Sequence, residues 1–384
     1  MKFKELVIFG TLFTSVLYAT NGDQMIATGT RSMGMGGVGI AMGFGAESGL
    51  INPALISDVK SSEVIGSATL FWPQIETKAL SSDYTQSLSD VYLMPSFAYA
   101  TKYSENLYIS IGAWGVAGMG VDFSNAQRGL GLMGMQTDLM LLNIATPIAW
   151  SNEVFSIGIA PILQLGMLDI EYNRLLGSGT NHPFDKEWEA NGGASIGIAW
   201  KITDSFRVGA MYKSAISMRY NGSNGANNLD LEQPQQYGVG ISYSYTHHTV
   251  AFDYKEILWS EADGYSNFGW QDQKVYAVGY QYDSFNGWVF RMGYNYGKSA
   301  IDTSHKTNLQ NYLNLLGFPA TSEQHYTVGG SFDISDSTNI DIAFVYSPTK
   351  TKDGIIYEGD SIGDVKMTNR HKELSFTAQI RYRF

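Results

Sequence analysis

The chain has 384 residues and a net charge of −11, and 44% of its residues are hydrophobic. The negative charge gives no electrostatic footprint for nucleic acid, and the absence of cysteine excludes a disulfide scaffold or a thiolate metal site. No linker or break in composition divides the chain after residue 60, which favours one large unit.

Residues 1–19 are predicted to be a secretory signal peptide. Lys2 and Lys4 precede an apolar run that ends at Leu17, and Ala19 follows it. A membrane-spanning helix would need about 20 apolar residues, so we interpret the segment as a cleaved export signal. Leu17 departs from the small residue expected at the −3 position, which leaves the cleavage site open by roughly one or two residues.

Residues 20–60 are predicted to form a hatch inside the rest of the protein, referred to below as the plug. The stretch is too rich in glycine for a stable helix and too apolar for a disordered tail. Gly34, Gly36 and Gly39 satisfy the G-x-G-x-x-G pattern, but the buried strand and downstream acidic residue of a dinucleotide site are missing. We interpret these glycines as points of tight backbone packing.

Within the plug, Asn52-Pro53-Ala54 is expected to fix the point where the plug becomes barrel wall. Proline fixes φ and lacks an N–H, and asparagine can bond to the local backbone, so the tripeptide suits a rigid exit turn. The alternative is an ordinary turn before the first strand.

From residue 61 to the end, apolar and polar residues alternate with a period of two. The pattern is typical of a transmembrane antiparallel β-barrel with one face toward lipid and the other toward a wet lumen. The gaps between strands alternate between short and long, as periplasmic turns and external loops do. About fourteen strands are predicted, at 62–72, 91–102, 106–118, 138–150, 153–172, 190–201, 205–220, 235–246, 248–258, 273–283, 287–298, 324–335, 338–348 and 371–384.

The chain ends on Phe384, the last apolar residue of the last alternating strand. An aromatic end of this kind resembles the signal that the barrel-assembly machinery recognises in outer-membrane proteins. The expected surroundings of the barrel wall are outer-membrane lipids.

Two stretches of the chain resemble the long-chain fatty acid transporter (FadL) family. One runs from Gly29 to Ala54, and the other from Phe290 to Tyr346 through Gly317-Phe318-Pro319-Ala320. The resemblance implies passive uptake of long-chain fatty acids across the outer membrane of a Gram-negative bacterium. The implied steps are capture by external loops, binding in the lumen, rearrangement of the hatch and lateral exit at a kinked third strand. Two alternatives stay open: uptake of aromatic or aliphatic hydrocarbons, and a secretion or assembly barrel that transports nothing.

Glycines interrupt the third predicted strand, 106–118. Gly112, Gly115 and Gly118 follow its regular first half, and glycine inside a strand weakens it and often marks a bulge. Because the resemblance implies a gap at a kink in this strand, we expect these glycines to form a lateral gate. Packing against the plug is the alternative.

Predicted strands four and five place apolar residues where a wet lumen normally has small or polar ones. We expect them to form an apolar pocket for flexible hydrophobic ligands, although a buried plug would also need apolar partners. The predicted pocket comprises Leu130, Leu132, Met133, Met135, Leu139, Leu141, Ile162 and Leu168.

No motif points to catalysis, a metal or a cofactor, and we expect none of the three. The six histidines lack the spacing of known metal sites, and no G-x-S-x-G sequence is present. A fatty acid would need a basic site for its carboxylate, whereas a hydrocarbon would not. Arg128, Arg174, Lys298 and Lys306 are candidates for that basic site because they lie in or beside long loops.

Overall fold

The computed structural model describes residues 20–126, 131–173, 180–284, 286–304, 306–358 and 364–384. The predicted signal peptide lies outside these residues. Fourteen antiparallel strands form a closed barrel in which each strand pairs with the next and the last pairs with the first. The strands are β1 (Ser62–Lys78), β2 (Tyr92–Lys102), β3 (Leu107–Asp122), β4 (Gln136–Ala145, continued by Ile148–Ser151), β5 (Phe155–Asn173), β6 (Thr180–Lys201), β7 (Phe206–Lys213), β8 (Gln236–Tyr245), β9 (His248–Ile257), β10 (Gln273–Asp283), β11 (Trp288–Gly297), β12 (Gln324–Asp333), β13 (Thr338–Tyr357) and β14 (Val365–Arg383).

Side chains alternate between the two faces of the wall, as β11 illustrates. Phe290 and Met292 are 44% and 57% exposed on the outside, whereas Arg291 and Asn295 are buried inside. This alternation is what a wall between lipid and a polar interior requires. The predicted barrel and its strand number are therefore confirmed.

Several strands differ from their predicted bounds for identifiable reasons. β6, β13 and β14 extend further toward the long loops, because ladder hydrogen bonds continue where polar residues occupy both faces and no alternation is visible. β4 is interrupted at Pro147, which cannot donate to the ladder. β7 ends at Lys213, whereas the prediction ran to residue 220.

The plug occupies the interior of the barrel, and most of its residues from 20 to 56 are buried. It contains a two-stranded turn (Thr20–Asn21 with Gln24–Met25), the short helix α1 (Thr30–Met33) and two 3-10 helices (Gly45–Leu50 and Pro53–Asp58). Wall residues from most of the barrel circumference contact it, including glycines of β6, β10, β11 and β12.

The long loops fold over one end of the barrel. The loop before β12 carries the helix α2 (Asn308–Tyr312) and a π-helical turn (Leu313–Gly317). Trp259, Tyr265 and Trp270, from the loop before β10, pack with ring centroids 4.7–4.9 Å apart. These loop residues belong to the same apolar cluster as residues of the plug and wall. Among the described residues, no helix has the length and hydropathy needed to cross a membrane.

Candidate functional site

Asn52 connects the end of the plug to the barrel wall. Its Nδ2 donates to the carbonyl oxygens of Ile40 at 2.7 Å and Ile198 at 3.1 Å, and its Oδ1 accepts from the N–H of Ala54 at 3.1 Å. Pro53 begins a 3-10 helix, where its missing N–H costs no hydrogen bond. The tripeptide is therefore bonded to plug and wall at once.

Gly36 is a point at which plug backbone touches wall backbone. It has a φ of +73°, and a Cβ there would lie 2.8 Å from the backbone of Tyr294. Its N–H donates to Thr327 Oγ1 at 2.8 Å, and its carbonyl accepts from Asn295 Nδ2 at 3.0 Å. Both its conformation and this close approach require glycine.

The other two predicted plug glycines also face the wall or pack within the plug. A Cβ on Gly34 would lie 3.1 Å from the Cα of Gly329 in β12. The N–H of Gly39 donates to Asp253 in β9 at 2.7 Å, and a Cβ there would lie 2.9 Å from Ile51. Close packing inside the barrel, rather than phosphate binding, accounts for the glycine pattern.

A buried ion-pair cluster also joins the plug to the barrel wall. Arg31 Nε lies 2.9 Å from Glu47 Oε2, and its Nη2 lies 3.4 Å from Glu63 Oε1 in β1. Burial alone lowers the pKa of Arg31, but the carboxylates of Glu47, Glu63 and Asp341 raise it above its ordinary value. Removing one partner would leave a buried charge uncompensated.

The ladder between β2 and β3 is interrupted on the side of the long loops, up to the point where the N–H of Leu88 donates to the carbonyl oxygen of Asp122 at 2.7 Å. The ladder that joins these strands ends at the pair Ser96–Trp114. Above that point β2 (Tyr92–Pro95) has ladder pairs with β1 and none with β3. β3 pairs there with β4, across a bulge between Gly115 and Ala117, and with the plug at Gln24–Ala117. We refer to this interruption as the wall gap.

The three predicted gate glycines lie at different distances from the wall gap. Gly115 and Gly118 border it, and a Cβ on Gly115 would lie 3.1 Å from Met94 Cβ across the opening. Gly112 lies below it, within the paired part of β3, and a Cβ there would lie 2.8 Å from the carbonyl oxygen of Phe97. Gly112 is therefore required for strand packing, and the opening itself involves the other two.

A cavity of about 380 Å³ lies at the wall gap and is lined both by residues of the barrel interior and by residues exposed on its outer surface. We refer to it as the lateral cavity. Its inner part is lined by the start of the plug and by β14, and its outer part by exposed side chains of the lipid-facing wall. Lining residues include Thr20, Asp23, Met25, Phe71, Ile75, Met119, Leu141, His371 and Glu373 inside, and Leu93, Met140 and Trp188 outside.

Asp23 lines the lateral cavity and holds the first residues of the plug in place. Its carboxylate accepts from Gln233 Nε2 at 2.8 Å and from the hydroxyl of Tyr265. Its carbonyl accepts from the N–H of Gly118 at 3.2 Å, on the border of the wall gap. Burial raises the pKa of Asp23 to about 6, although both side-chain hydrogen bonds act in the opposite direction.

Of the eight residues predicted to form the pocket, the structure places Leu141 in the lateral cavity. Met133 is half-buried in the loop before β4 at a φ of +52°, and Leu130 lies outside the described residues. The remaining five are buried in the large apolar cluster beneath the loops: Leu132, Met135, Leu139, Ile162 and Leu168. The sequence could not show that the loops would cover these side chains.

The described basic residues that the sequence suggested for a carboxylate site lie outside the lateral cavity. Lys298 is exposed and Lys306 is half-buried, and neither lines the lateral cavity; Arg128 and Arg174 lie outside the described residues. Lys213 and Lys255 line a separate cavity of about 80 Å³. Met25 lines both cavities and so separates them.

One cluster with possible metal ligands was missed by the sequence analysis. Ligand atoms of Asp169, His182 and Asp185 lie within 4.8 Å of one another on β5 and β6. His182 Nε2 is already 2.6 Å from Asp169 Oδ1, an ion-pair contact that accounts for the cluster. The polar extension of β6, which the alternation does not reveal, brings these residues together.

The fold is a fourteen-strand antiparallel barrel that encloses residues 20–56, with an apolar cavity at the wall gap. Residues 13–384 match the family model described as outer membrane protein transport protein (OMPP1/FadL/TodX). The chain therefore belongs to this family of outer-membrane proteins that transport hydrophobic substrates, as the sequence resemblance indicated, and its place is the outer membrane of a Gram-negative bacterium. No curated protein sequence matches the chain significantly.

Solved structures share the fold at low sequence identity. The toluene transporter TodX of P. putida is 15% identical, with a TM-score of 0.71 over 93% of this chain and 99% of its own. A FadL homologue of Pseudomonas aeruginosa is 13% identical, with a TM-score of 0.72 over 96% and 99%. The toluene transporter TbuX of Ralstonia pickettii is 15% identical, with a TM-score of 0.67 over 93% and 99%.

Proposed function

We propose that the protein carries uncharged hydrophobic small molecules, of the size of substituted monoaromatic hydrocarbons, passively across the outer membrane. The observation that supports this most directly is the lining of the lateral cavity, which is mostly apolar. None of the described residues that line it is a lysine or an arginine. Its ionisable groups are Asp23, Tyr92, His371 and Glu373, and the two carboxyls would repel an anionic head group. An engineered apolar cavity of about 150 Å³ holds benzene, so about 380 Å³ accommodates a larger aromatic molecule.

The wall gap supports a lateral exit into lipid. Each methylene that crosses water costs about 0.8 kcal/mol, and a path whose outer end is lined by Leu93, Met140 and Trp188 removes that cost. The plug serves a different need. A barrel of this size is too wide for its own wall side chains to fill, as roughly eight strands can, and an unplugged lumen would pass polar solutes. Rearrangement of the plug would admit the substrate to the cavity from the loop side.

Long-chain fatty acids are the second candidate, because one observation favours them. Lys213 is 8% exposed and lines the smaller cavity together with Lys255, on the far side of Met25. A displaced Met25 would join the two cavities, which would place an acyl chain in the lateral cavity and its carboxylate near the lysines. This arrangement needs movement of the plug, whereas a neutral substrate fits the cavity as it stands.

The proposal is tested by closing the wall gap. Gly115→Trp would place an indole opposite Met94 in the opening, and Gly66→Trp is the matched control because a Cβ there meets no atom within 4 Å. Uptake of radiolabelled toluene and of oleate is compared in cells that express equal amounts of heat-modifiable, folded protein. We expect Gly115→Trp to reduce toluene uptake to background and Gly66→Trp to leave it unchanged.

The two substrates separate the two candidates. Toluene uptake without oleate uptake supports the neutral substrate, and the reverse supports the fatty acid. Normal uptake of both by folded Gly115→Trp would contradict the lateral exit.

A further inference from the structure

The cavity of about 80 Å³ contains two lysine side chains without a partner, and we refer to it as the lysine cavity. Lys213 of β7 is 8% exposed and Lys255 of β9 is half-buried. Neither ammonium group forms a hydrogen bond or an ion pair with any described residue, and both nitrogens keep accessible surface. Buried lysines are normally paired, so two unpaired ammonium groups that line one cavity indicate a binding site for an anion.

The pairing of three strands brings the two lysines to the same place. Lys213 lies opposite Gln236 of β8, and Lys255 lies opposite Gly238 of the same strand. Gly238 has no side chain, and the plug residue Ile40 packs against it, since a Cβ there would lie 2.6 Å from Ile40 Cδ1. Two like charges that face one buried cavity repel each other more strongly than they would in water. An anion in the cavity would stabilise both.

The charge of the lining favours a monovalent anion. Asp253 is the one carboxylate among the described lining residues, whereas Asp23 lines the lateral cavity. The Oδ2 of Asp253 accepts from the N–H groups of Gly39 and Ile40 at 2.7 and 2.9 Å, and its Oδ1 is enclosed. Two ammonium groups and one carboxylate leave the lining with one positive charge. Water hydrates such a charge, but a monovalent anion also neutralises it.

The volume of the lysine cavity sets the size of that anion. About 80 Å³ exceeds the roughly 10–15 Å³ that one water molecule needs, but it is well below the roughly 150 Å³ that holds benzene. Chloride, bromide and formate therefore fit, whereas gluconate and aromatic acids do not.

We propose that the lysine cavity binds one small monovalent anion, such as chloride, and that this anion holds the plug against the wall. The two lysines belong to the wall, and Gln24 and Met25 of the plug line the same cavity. An anion bound there is therefore shared by plug and wall. The inference does not depend on which substrate the barrel carries, although a fatty acid carboxylate would have to displace the anion to reach the lysines.

Bromide is the probe that locates the site, because X-ray diffraction at the bromine absorption edge identifies it directly. Crystals of the folded full-length barrel are grown in sodium bromide. We expect an anomalous peak between the Nζ atoms of Lys213 and Lys255. Peaks at exposed lysines only, or no peak in the lysine cavity, would overturn the inference.

Hydrogen exchange tests the role of the anion in solution. Protection of the amides of residues 24–28 is compared in sodium chloride, sodium formate and sodium gluconate at one pH and one ionic strength. Chloride and formate should protect these amides roughly tenfold better than gluconate does, the stabilisation given by a ligand at about ten times its dissociation constant. Equal protection in chloride and gluconate would overturn the inference, and together with a bromide peak it would indicate an adventitious ion only.

Two variants assign the effect to the lysine cavity. Lys213→Met nearly preserves the length of the side chain and removes its charge, and Lys102→Met, at an exposed position of β2, is the matched control. The difference between chloride and gluconate should disappear in Lys213→Met and remain in Lys102→Met. A difference that persists in folded Lys213→Met would overturn the inference. If Lys213→Met does not fold, the comparison of salts in the natural protein decides.

Discussion

Replacing Asn52 with alanine should loosen the plug without unfolding the barrel. The side chain makes three hydrogen bonds, to two carbonyl oxygens and one N–H, and it is fully buried. One of these bonds, to the carbonyl oxygen of Ile198, joins plug and wall, and the other two hold the plug's own backbone at the junction. Loss of the bond to Ile198, with that carbonyl left unpaired in a dry site, weakens the association of plug and wall by about 1–3 kcal/mol. It corresponds to a rise of roughly 5- to 140-fold in the population of displaced plug.

The assay is single-channel recording in planar bilayers, where displacement of the plug appears as brief openings that conduct small ions. Asn52→Ala should open more often than the natural protein, and Asn227→Ala, at an exposed loop position, should not. Heat-modifiable migration confirms that both barrels are assembled. An opening frequency in folded Asn52→Ala equal to that of the control would show that Asn52 does not hold the plug in place. The Arg31 cluster would then be the main attachment of the plug to the wall.

Four further results are expected. Deletion of residues 21–50 should raise the conductance of the assembled barrel for small polar solutes, and unchanged conductance would count against a plugging role. Leu141→Asn should weaken toluene binding in equilibrium dialysis by about 1–3 kcal/mol, whereas Ile162→Asn, outside the cavity lining, should lower thermal stability and leave the affinity of the folded fraction near normal. Phe384→Ala should reduce the yield of heat-modifiable barrel in the outer membrane if the assembly machinery reads the last strand. Asp23→Asn should flatten the pH dependence of hydrogen-exchange protection in residues 20–28.

The barrel could be predicted because each strand contains its own evidence. In β11, Phe290 and Met292 face lipid and Arg291 and Asn295 face the interior, and a period of two in the sequence records that difference directly. The extension of β6 toward the loops could not be read in the same way. Its residues are mostly polar on both faces and show no regular alternation, so only the hydrogen bonds to β5 show that it is a strand.

The lateral cavity was only partly predictable. The glycines of β3 indicated an irregular strand, but the wall gap also depends on where pairing with β2 stops, which is a relation between two strands. Glu373 looked like any polar residue on the inner face of β14. Its place in the cavity lining depends on the plug, where Thr20, 353 positions away in the chain, donates a hydrogen bond to it. The pocket was predicted from the alternation of strand residues, and contacts between the plug and the wall leave no such signal in the sequence. For this reason Leu141 is the only described member of the predicted pocket that lines the cavity.

Protonation of Asp23 should strengthen the docking of the first residues of the plug. Burial raises its pKa from an ordinary 3.8 to about 6, against the opposing hydrogen bonds of Tyr265 and Gln233 and the charge of Lys213. A group whose pKa is higher when docked binds its proton more tightly in that state. Its stabilising contribution is therefore complete below about pH 4 and is lost as the pH rises through about 6. The difference of roughly two in pKa corresponds to about 3 kcal/mol between pH 4 and pH 8.

Hydrogen exchange tests the direction of this pH dependence directly. Corrected for intrinsic exchange rates, amides of residues 20–28 should be up to roughly 100-fold better protected at pH 4 than at pH 8, while amides of Gly45–Leu50 change little. Asn at position 23 is neutral at every pH and keeps a hydrogen-bonding side chain, so its profile should be flat. If protection of residues 20–28 instead increased with pH in the natural protein, the charged carboxylate would be the form that holds the plug. The bonds from Tyr265 and Gln233 would then outweigh the cost of its burial.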